Sequence, residues 1–343
     1  MTHDLSAYDY AFPEALIAQT PLPERDASRL LVLGRHSGTI THRQIREFPA
    51  LLQAGDLLVV NTSKVMPFHL RGYRPGGGVA DLLLLHPLTN APDERRWMVL
   101  ATRLKRFRSG MRLTFDATLR GVVESRDGDR LVVRFDQPYA TLIHTLERVG
   151  TTPLPPYITH TPTPEDRERY QTVYATTPGS AAAPTAGLHL SEALLAACRA
   201  RGIRIASVIL HVGIDTFQPI RASDIRQHVM HGEFFHIPAE TLTQIEATKS
   251  AGHRVVAVGT TVVRALESSA ALRQTSGETR LFITPGDDFQ MIDALLTNFH
   301  QPRTTLMLLI SAFAGRTPLL GAYHEAVRAQ YRLFSYGDAM FVV

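Results

Sequence analysis

The predicted fold class is α/β, with a mixed, largely parallel sheet domain that carries an inserted small β-barrel domain. Three observations predict it. Strand-sized apolar runs at Leu30–Leu33, Leu57–Val60, Ile203–Leu210 and Val255–Val258 lie among helical stretches near both ends of the chain, the pattern of a parallel sheet. From about Met66 to Val149 that alternation gives way to short β-type runs separated by turn residues. After Gly150 the helix–strand order returns. The expected domains are therefore a discontinuous α/β domain over 1–65 and 150–343 and a barrel domain over 66–149.

Pro13-Glu14-Ala15-Leu16-Ile17-Ala18 reads as a helix with proline in its first turn, where a missing N–H costs nothing. The barrel strands are Phe68–Tyr73, Val79–His86, Trp97–Arg103, Arg112–Phe115, Thr118–Ser125 and Arg130–Phe135, with no helical pattern between them. Pro75-Gly76-Gly77-Gly78, Ser109-Gly110 and Asp127-Gly128-Asp129 supply turns, and strands at this spacing close into a small barrel. Ser191 is an N-cap for a helix with Leu194, Leu195 and Cys198 on one face, stopped at Gly202. Ala239–Ser250 is helical and ends at Gly252, and Val255–Val258 runs into a helix from Thr261. Leu306–Ser311 reads as a last buried strand by its length, and Tyr323–Tyr331 as the last helix.

Composition narrows the function classes. The chain has 343 residues, 44% hydrophobic and 20% charged, values that support a sizeable core and exclude bulk disorder. No apolar run reaches the roughly 18 residues of a membrane span, and no secretory leader is read at Met1-Thr2-His3-Asp4, so no membrane partner and a cytoplasmic location are expected. Cys198 is the single cysteine, which excludes an internal disulfide framework and a cysteine zinc cluster. Of 36 basic residues only Lys64, Lys105 and Lys249 are lysines. GC-rich coding accounts for such a bias, and so does phosphate recognition, for which the guanidinium fork is suited.

Several segments carry candidate chemistry. Val255-Val256-Ala257-Val258-Gly259-Thr260-Thr261-Val262-Val263-Arg264 is strand, tight turn and helix, an arrangement that offers free N–H groups and two hydroxyls to an anion. It is neither a P-loop nor a GxGxxG fingerprint. Small residues from Pro178 to His189 lead directly into a capped helix and suit a loop that lets a flat ligand approach the backbone. His211 follows a buried strand, and His300 and Asp338 stand beside turn formers, so the three are candidates for acid–base work if they converge. His228, His231 and Glu233 have a spacing a metal could use, but without HExxH or a companion ligand no metal is assigned. Arg95 to Arg112 holds Arg96, Arg103, Lys105, Arg106 and Arg108 with no acid between, either a solvated face or a surface for phosphates.

Taken together, these segments resemble a known family almost end to end. The carriers are Leu16-Ile17-Ala18-Gln19 with Pro23-Glu24-Arg25-Asp26-Ala27-Ser28-Arg29-Leu30, Pro153-Leu154-Pro155-Pro156-Tyr157-Ile158, and Arg169-Tyr170-Gln171-Thr172-Val173-Tyr174. Ala182-Ala183-Pro184-Thr185-Ala186-Gly187-Leu188-His189, Leu210-His211-Val212-Gly213, Ala257–Arg264, Leu296-Thr297-Asn298-Phe299-His300, Ser311–Gly315 and Phe334–Met340 continue the series. Their number, order and spacing make the chain resemble the S-adenosylmethionine:tRNA ribosyltransferase-isomerases of queuosine biosynthesis.

The resemblance implies S-adenosylmethionine as ribosyl donor and co-substrate, with no true cofactor. It implies a tRNA acceptor bearing 7-aminomethyl-7-deazaguanine, an epoxyqueuosine product, and release of adenine and methionine. The implied catalytic residues are His211, Asp338, Glu233 and His300. Substrate would be bound by Pro184, Thr185, Gly187, His189, Gly213, Thr216, Gly259, Thr260, Thr261, Arg264, Asn298 and Phe299, and nucleic acid by Arg71, Arg103, Lys105 and Arg106. A monomer or weak oligomer is expected. Lys64, Phe68, His69 and Ala80 depart from the family pattern, and they keep a second reading open, a paralogue that uses the same donor on a small-molecule acceptor.

Overall fold

The computed structural model describes residues 2–89, 91–213, 219–220 and 222–343. The α/β part is built on a nine-stranded sheet. Its strands in the first part of the chain are β1 (Arg29–Leu33), β2 (Ile40–Gln44) and β3 (Leu57–Asn61), with a one-turn helix α1 (Phe48–Leu51) before β3. A short strand β4 (Ser63–Val65) then leads into β5 (His69–Tyr73), β6 (Val79–Pro87), β7 (Arg96–Ala101), β8 (Arg112–Thr114), β9 (Arg120–Asp127) and β10 (Arg130–Phe135). These last six close into a barrel in the order β10-β7-β6-β5-β8-β9.

Past the barrel come α2 (Tyr139–Val149), α3 (Pro164–Arg169), β11 (Thr177–Ser180), α4 (Glu192–Ala200), β12 (Arg204–Leu210) and β13 (Glu233–His236). They are followed by α5 (Ala239–Ser250), β14 (Val255–Val258), α6 (Thr260–Leu272), β15 (Ser276–Thr279), β16 (Ala294–Asn298), α7 (Thr305–Ala314), α8 (Arg316–Arg328) and β17 (Ala339–Val342). The sheet order is β15-β13-β12-β3-β14-β16-β17-β1-β2. Its centre, β12-β3-β14-β16, is parallel throughout; β17 and β1 are parallel to each other, and the pairs β12/β13, β13/β15, β16/β17 and β1/β2 are antiparallel.

Side-chain alternation explains the continuous apolar strands. Leu57 and Val59 point into one core while Leu58 and Val60 point into the other; Val255 and Ala257 split from Val256 and Val258 in the same way. Successive residues of a strand face opposite sides, so a strand covered on both faces carries no polar stripe. One face is covered by α6, α7 and α8, with Val262, Leu266, Met307, Ile310, Phe313 and Tyr323 in its core. The other takes Phe48 of α1 and Leu194, Leu195 and Cys198 of α4.

Three expected elements differ. Leu306–Ser311 is helical, inside α7, because Thr304 caps it by accepting from the Met307 N–H and core surrounds nearly the whole helix. A helix buried all round loses its amphipathic period and reads like a strand. The last helix ends at Arg328, before the expected Tyr331, where Gln330 turns left-handed at φ +55°. Pro13–Ala18 is one turn of 3₁₀ helix, Glu14–Leu16, because Ile17 and Ala18 go extended to pair with Leu333. The barrel segment also has a helix the sequence did not announce. In α2, Leu142 and Leu146 pack into the barrel core and Tyr139 stacks on Trp97 at 5.8 Å.

Among the described residues no single helix is long and apolar enough to cross a membrane. The bent pair α7 and α8 passes by composition only, and most of α7 is interior.

Candidate active site

A crevice opens beyond the carboxyl ends of the central parallel strands, where open α/β sheets hold ligands. Its first lobe, about 320 Å³, lies between the 183–186 loop and the start of α6, lined by Pro184, Thr185, Val212, Gly259, Thr260, Thr261, Thr297, Asn298 and His300 among others. A second lobe of about 290 Å³ shares Thr185, Asn298, His300 and Leu306 and adds Tyr157, Phe299, Gln301, Phe334 and Ser335. Gly259 makes the approach possible. It sits at φ +91° and ψ 154°, a region closed to side chains, and its N–H bonds Leu296 so that α6 starts facing the crevice.

Polar atoms on this space and in the neighbouring cluster where β12, β13 and α6 meet are incompletely bonded. Thr261 Oγ1, Asn298 Oδ1, His211 Nδ1 and both Nε and Nη2 of Arg264 are buried without a hydrogen-bond partner among the described residues. Buried polar groups are rarely left so, and a cluster of them beside a crevice marks where a ligand completes the bonding. Arg264 is 4% exposed; its Nη1 pairs with Glu233, whose other oxygen accepts the Gly213 N–H at 2.9 Å. One side of the guanidinium fork is thus spent on orientation and the other is spare.

His211 leaves the end of β12 with its N–H bonded to the Phe234 carbonyl and its ring stacked on Phe234 at 5.7 Å. A Cβ at position 179 would stand 2.6 Å from the ring, so Gly179 makes room for it. Burial pushes the imidazole below its ordinary value and keeps it a neutral base. His300 is pushed down to about 3 by burial, and its Nε2 stands 3.0 Å from Thr297 Oγ1. His189 is pushed down to about 4, chiefly by burial, and bridges Ser28 Oγ and Asn298 Nδ2, each at 3.0 Å.

The residues singled out from sequence divide accordingly. Pro184, Thr185, Gly259, Thr260, Thr261, Asn298 and His300 come together on the first lobe, while His211, Gly213, Glu233 and Arg264 cluster where β12, β13 and α6 meet. Asp338 is placed elsewhere. Its carboxylate accepts the N–H groups of Arg29 and Arg332, both at 2.8 Å, and pairs with Arg29 Nε at 3.3 Å, pinning the entry of β17 to β1. The Phe299 ring is in the core against Tyr323 and Tyr331. Gly187 packs under Tyr174, away from the crevice, and His189 backs Asn298 from a neighbouring cleft. Thr216 lies outside the described residues.

Arg71, Arg103, Lys105 and Arg106 are exposed on the barrel. Of the positions that depart from the family pattern, Phe68 and Ala80 fill the barrel core and His69 pairs with Asp81 at 2.7 Å; none of these, nor Lys64, lines the crevice. Among the described residues no group of three histidine, cysteine or acidic side chains is arranged to hold a metal. Sequence reasoning missed Tyr157, Gln301, Phe334 and Ser335. Tyr157 and Ser335 share a 2.7 Å hydrogen bond across 178 positions, a proximity no local pattern signals.

Fold and crevice define a class: an α/β protein with a ligand crevice at its sheet's carboxyl ends and an inserted β-barrel. The chain belongs to the family described as queuosine biosynthesis protein, whose model matches residues 5–342. It is 48% identical over 343 residues to the S-adenosylmethionine:tRNA ribosyltransferase-isomerase of Anaeromyxobacter dehalogenans, covering 99% of each chain. The protein of the same name in Xanthomonas oryzae pv. oryzae is 46% identical, over 98% of this chain and 96% of that one. The crystal structure of S-adenosylmethionine tRNA ribosyltransferase from Thermotoga maritima covers 98% of this chain and 100% of its own at 34% identity, with a TM-score of 0.57.

Proposed function

We propose that this protein is an S-adenosylmethionine-dependent ribosyltransferase-isomerase acting on tRNA. It moves the ribosyl carbons of S-adenosylmethionine onto the aminomethyl nitrogen of 7-aminomethyl-7-deazaguanine in the anticodon, giving epoxyqueuosine and releasing adenine and methionine. The full-length relation to enzymes of that name supports the reaction. The observation that carries the assignment of the site is the set of buried polar atoms without a partner among the described residues: Thr261 Oγ1 and Asn298 Oδ1 on the crevice, and His211 Nδ1 with Nε and Nη2 of Arg264 in the cluster where β12, β13 and α6 meet.

In this reading Thr260, Thr261 and Arg264 hold the methionine carboxylate at the start of α6, where the helix N–H groups favour negative charge. Glu233 orients Arg264. The loop from Ala183 to Ala186 and the aromatic lobe with Tyr157 and Phe334 bracket a flat base. His211, neutral because buried, takes the proton from the carbon beside the sulfonium, whose positive sulfur stabilises the resulting carbanion, so that the sugar opens and adenine leaves. The acceptor amine attacks only when neutral, which a desolvated crevice favours.

Incubation with S-adenosylmethionine, with and without a deazaguanine-bearing anticodon stem-loop, tests the reading by release of adenine and methionine. His211→Ala is expected to lower kcat by about 10²–10⁴, well beyond any loss of donor affinity. Near-normal turnover by that variant removes His211 as the base, and formation of S-adenosylhomocysteine by the wild type refutes the reaction.

A further inference from the structure

A third cleft, about 290 Å³, stands back to back with the crevice and has no part in the chemistry above. Its walls include Leu22, Glu24, Arg25, Arg169, His189 and Ser335. Two half-buried guanidinium groups face each other there across loops that are remote in sequence. Arg25 donates to the carbonyls of Leu188, Arg169 and Glu168 at 3.3, 3.5 and 3.4 Å, long bonds for a charged donor. Arg169 donates to the carbonyls of Pro23 at 3.1 Å and Leu22 at 2.6 Å. Arg332 reaches the same segment from the other side, with one Nη on the Thr20 carbonyl and Nη1 buried without a partner among the described residues.

These arginines are bonded to carbonyl oxygens, while the carboxylates nearby are engaged elsewhere. Glu24 turns to Arg46 at 3.4 Å, and Asp338 accepts main-chain N–H groups and Arg29. Burial, and after it the charge of Arg169, hold Arg25 below its ordinary value, with Glu168 offsetting part of the effect. A guanidinium carries five N–H donors, so each of the three retains capacity for an anion. The cleft is one side-chain layer from the crevice: His189 on its wall bonds Asn298 on the crevice wall, and Ser335 lines both spaces.

We propose that this arginine cleft is a phosphodiester site in which Arg25, Arg169 and Arg332 hold the RNA backbone phosphate next to the target nucleotide while its base lies in the crevice. The inference rests on the tRNA reading above and adds to it. Single-stranded loops are recognised by splaying a base out and fixing its backbone, and the barrel arginines, on a different part of the molecule, do not supply that local grip. Holding the phosphate one layer behind Asn298 sets the depth to which the base enters.

The test is binding of an anticodon stem-loop to the full chain, with each loop phosphate replaced in turn by an uncharged methylphosphonate. For the wild type, one position flanking the target nucleotide should weaken binding about tenfold, the scale of a charge-assisted contact. Arg169→Gln should bind about tenfold weaker, show no further loss at that position, and have a log K against log salt slope shallower by about 0.7. Its donor affinity should match the wild type, while loss of the bonds to Pro23 and Leu22 lowers the melting temperature without unfolding the chain at the assay temperature. Equal binding of all methylphosphonate loops by the wild type overturns the proposal, and that arm needs no variant to fold. So does weaker binding by Arg169→Gln with an unchanged salt slope, the signature of arginines that only clamp carbonyls. Adenosine 5′-monophosphate serves as a free-phosphate probe. Displacement of RNA by micromolar amounts of it, from the wild type but not the variant, assigns the cleft to a free nucleotide and overturns the backbone site. Turnover is scored in parallel. Normal turnover without a position-specific phosphate effect defeats this inference alone, and a position-specific effect without turnover defeats the proposed reaction alone.

Discussion

Replacing His189 by glutamine is expected to flatten the acid limb of the stability profile by about 2 kcal/mol, and the structure supplies the arithmetic. The imidazole is 3% exposed, with Nδ1 at 3.0 Å from Ser28 Oγ and Nε2 at 3.0 Å from the amide nitrogen of Asn298. That amide nitrogen also lies 3.3 Å from the Phe334 carbonyl, which can only accept, so the orientation of Asn298 is settled. Nε2 is therefore an acceptor, and the ring proton sits on Nδ1 and is donated to Ser28. Burial, reinforced by Arg332 and Arg25, pushes the group from 6.5 down to about 4.

Between those two values the unfolded chain binds the proton and the folded chain does not. The contribution of His189 is complete above about pH 6.5 and is lost progressively as pH falls toward about 4. The full difference is about 3 kcal/mol, of which about 2 kcal/mol is expressed between about pH 7 and about pH 4.5. Glutamine keeps an acceptor for Asn298 and a donor for Ser28 and does not titrate. Urea unfolding followed by circular dichroism at both pH values, for both proteins, reads the difference. An equal loss of stability on acidification in the two proteins would refute the reasoning. Protonation of folded His189, which sets in only near about pH 4, obliges Asn298 to turn its amide, so the donor affinity of the wild type should hold down to about pH 5 and fall as the pH approaches about 4.

Gly187→Ala places a Cβ 2.1 Å from the Tyr174 hydroxyl and 2.8 Å from the Thr172 methyl, and a cost of about 1–3 kcal/mol in unfolding free energy is expected. Adding Tyr174→Phe removes the closer contact and should recover part of the loss; a double-mutant cycle without coupling would show that the hydroxyl is not the obstacle. Asp338→Asn leaves two main-chain donors and Arg29 facing a weaker acceptor and should cost about 2 kcal/mol by denaturant unfolding, with kcat of the folded protein near the wild-type value. A kcat a hundredfold lower at unchanged stability would return Asp338 to the chemistry.

Where periodicity matches the local environment, the fold was legible in the sequence. Leu57–Val60 and Val255–Val258 are apolar at every position because helices cover both faces, and Ser191 caps α4 by accepting the Leu194 N–H at 3.1 Å. Leu306–Ser311 misled for the same reason that β14 did not: total burial erases the period that separates helix from strand, and only length and the Thr304 cap remain. β4 and β11 were missed because Pro178 and Gly179 argue against a strand, although a two-strand parallel pair at a loop's edge tolerates them. The crevice was half legible. Strand, glycine and helix start are local, so Gly259, Thr260 and Thr261 could be placed, whereas Tyr157 meets Ser335 only through the tertiary fold.

Residue type alone cannot separate His211 from Asp338, and the rest of each side chain's bonding does. Asp338 has both oxygens engaged by two main-chain N–H groups and Arg29, so accepting a substrate proton would dismantle the junction of β1 and β17. A group committed in that way stabilises the fold at the expense of reactivity. His211 has an unpartnered buried Nδ1, a ring held by stacking on Phe234, and a glycine in place of any side chain at 179. Its unbonded nitrogen costs the free protein an unmade hydrogen bond, and that cost is recovered only when a ligand reaches the ring to bond it. Arg264 follows the same logic with the opposite charge: Glu233 orients one edge of the fork, and the other edge stays unsatisfied until an anion arrives. Base and cation are both left incomplete among the described residues, so a ligand that reaches them gains bonds the free protein lacks before any covalent bond is broken.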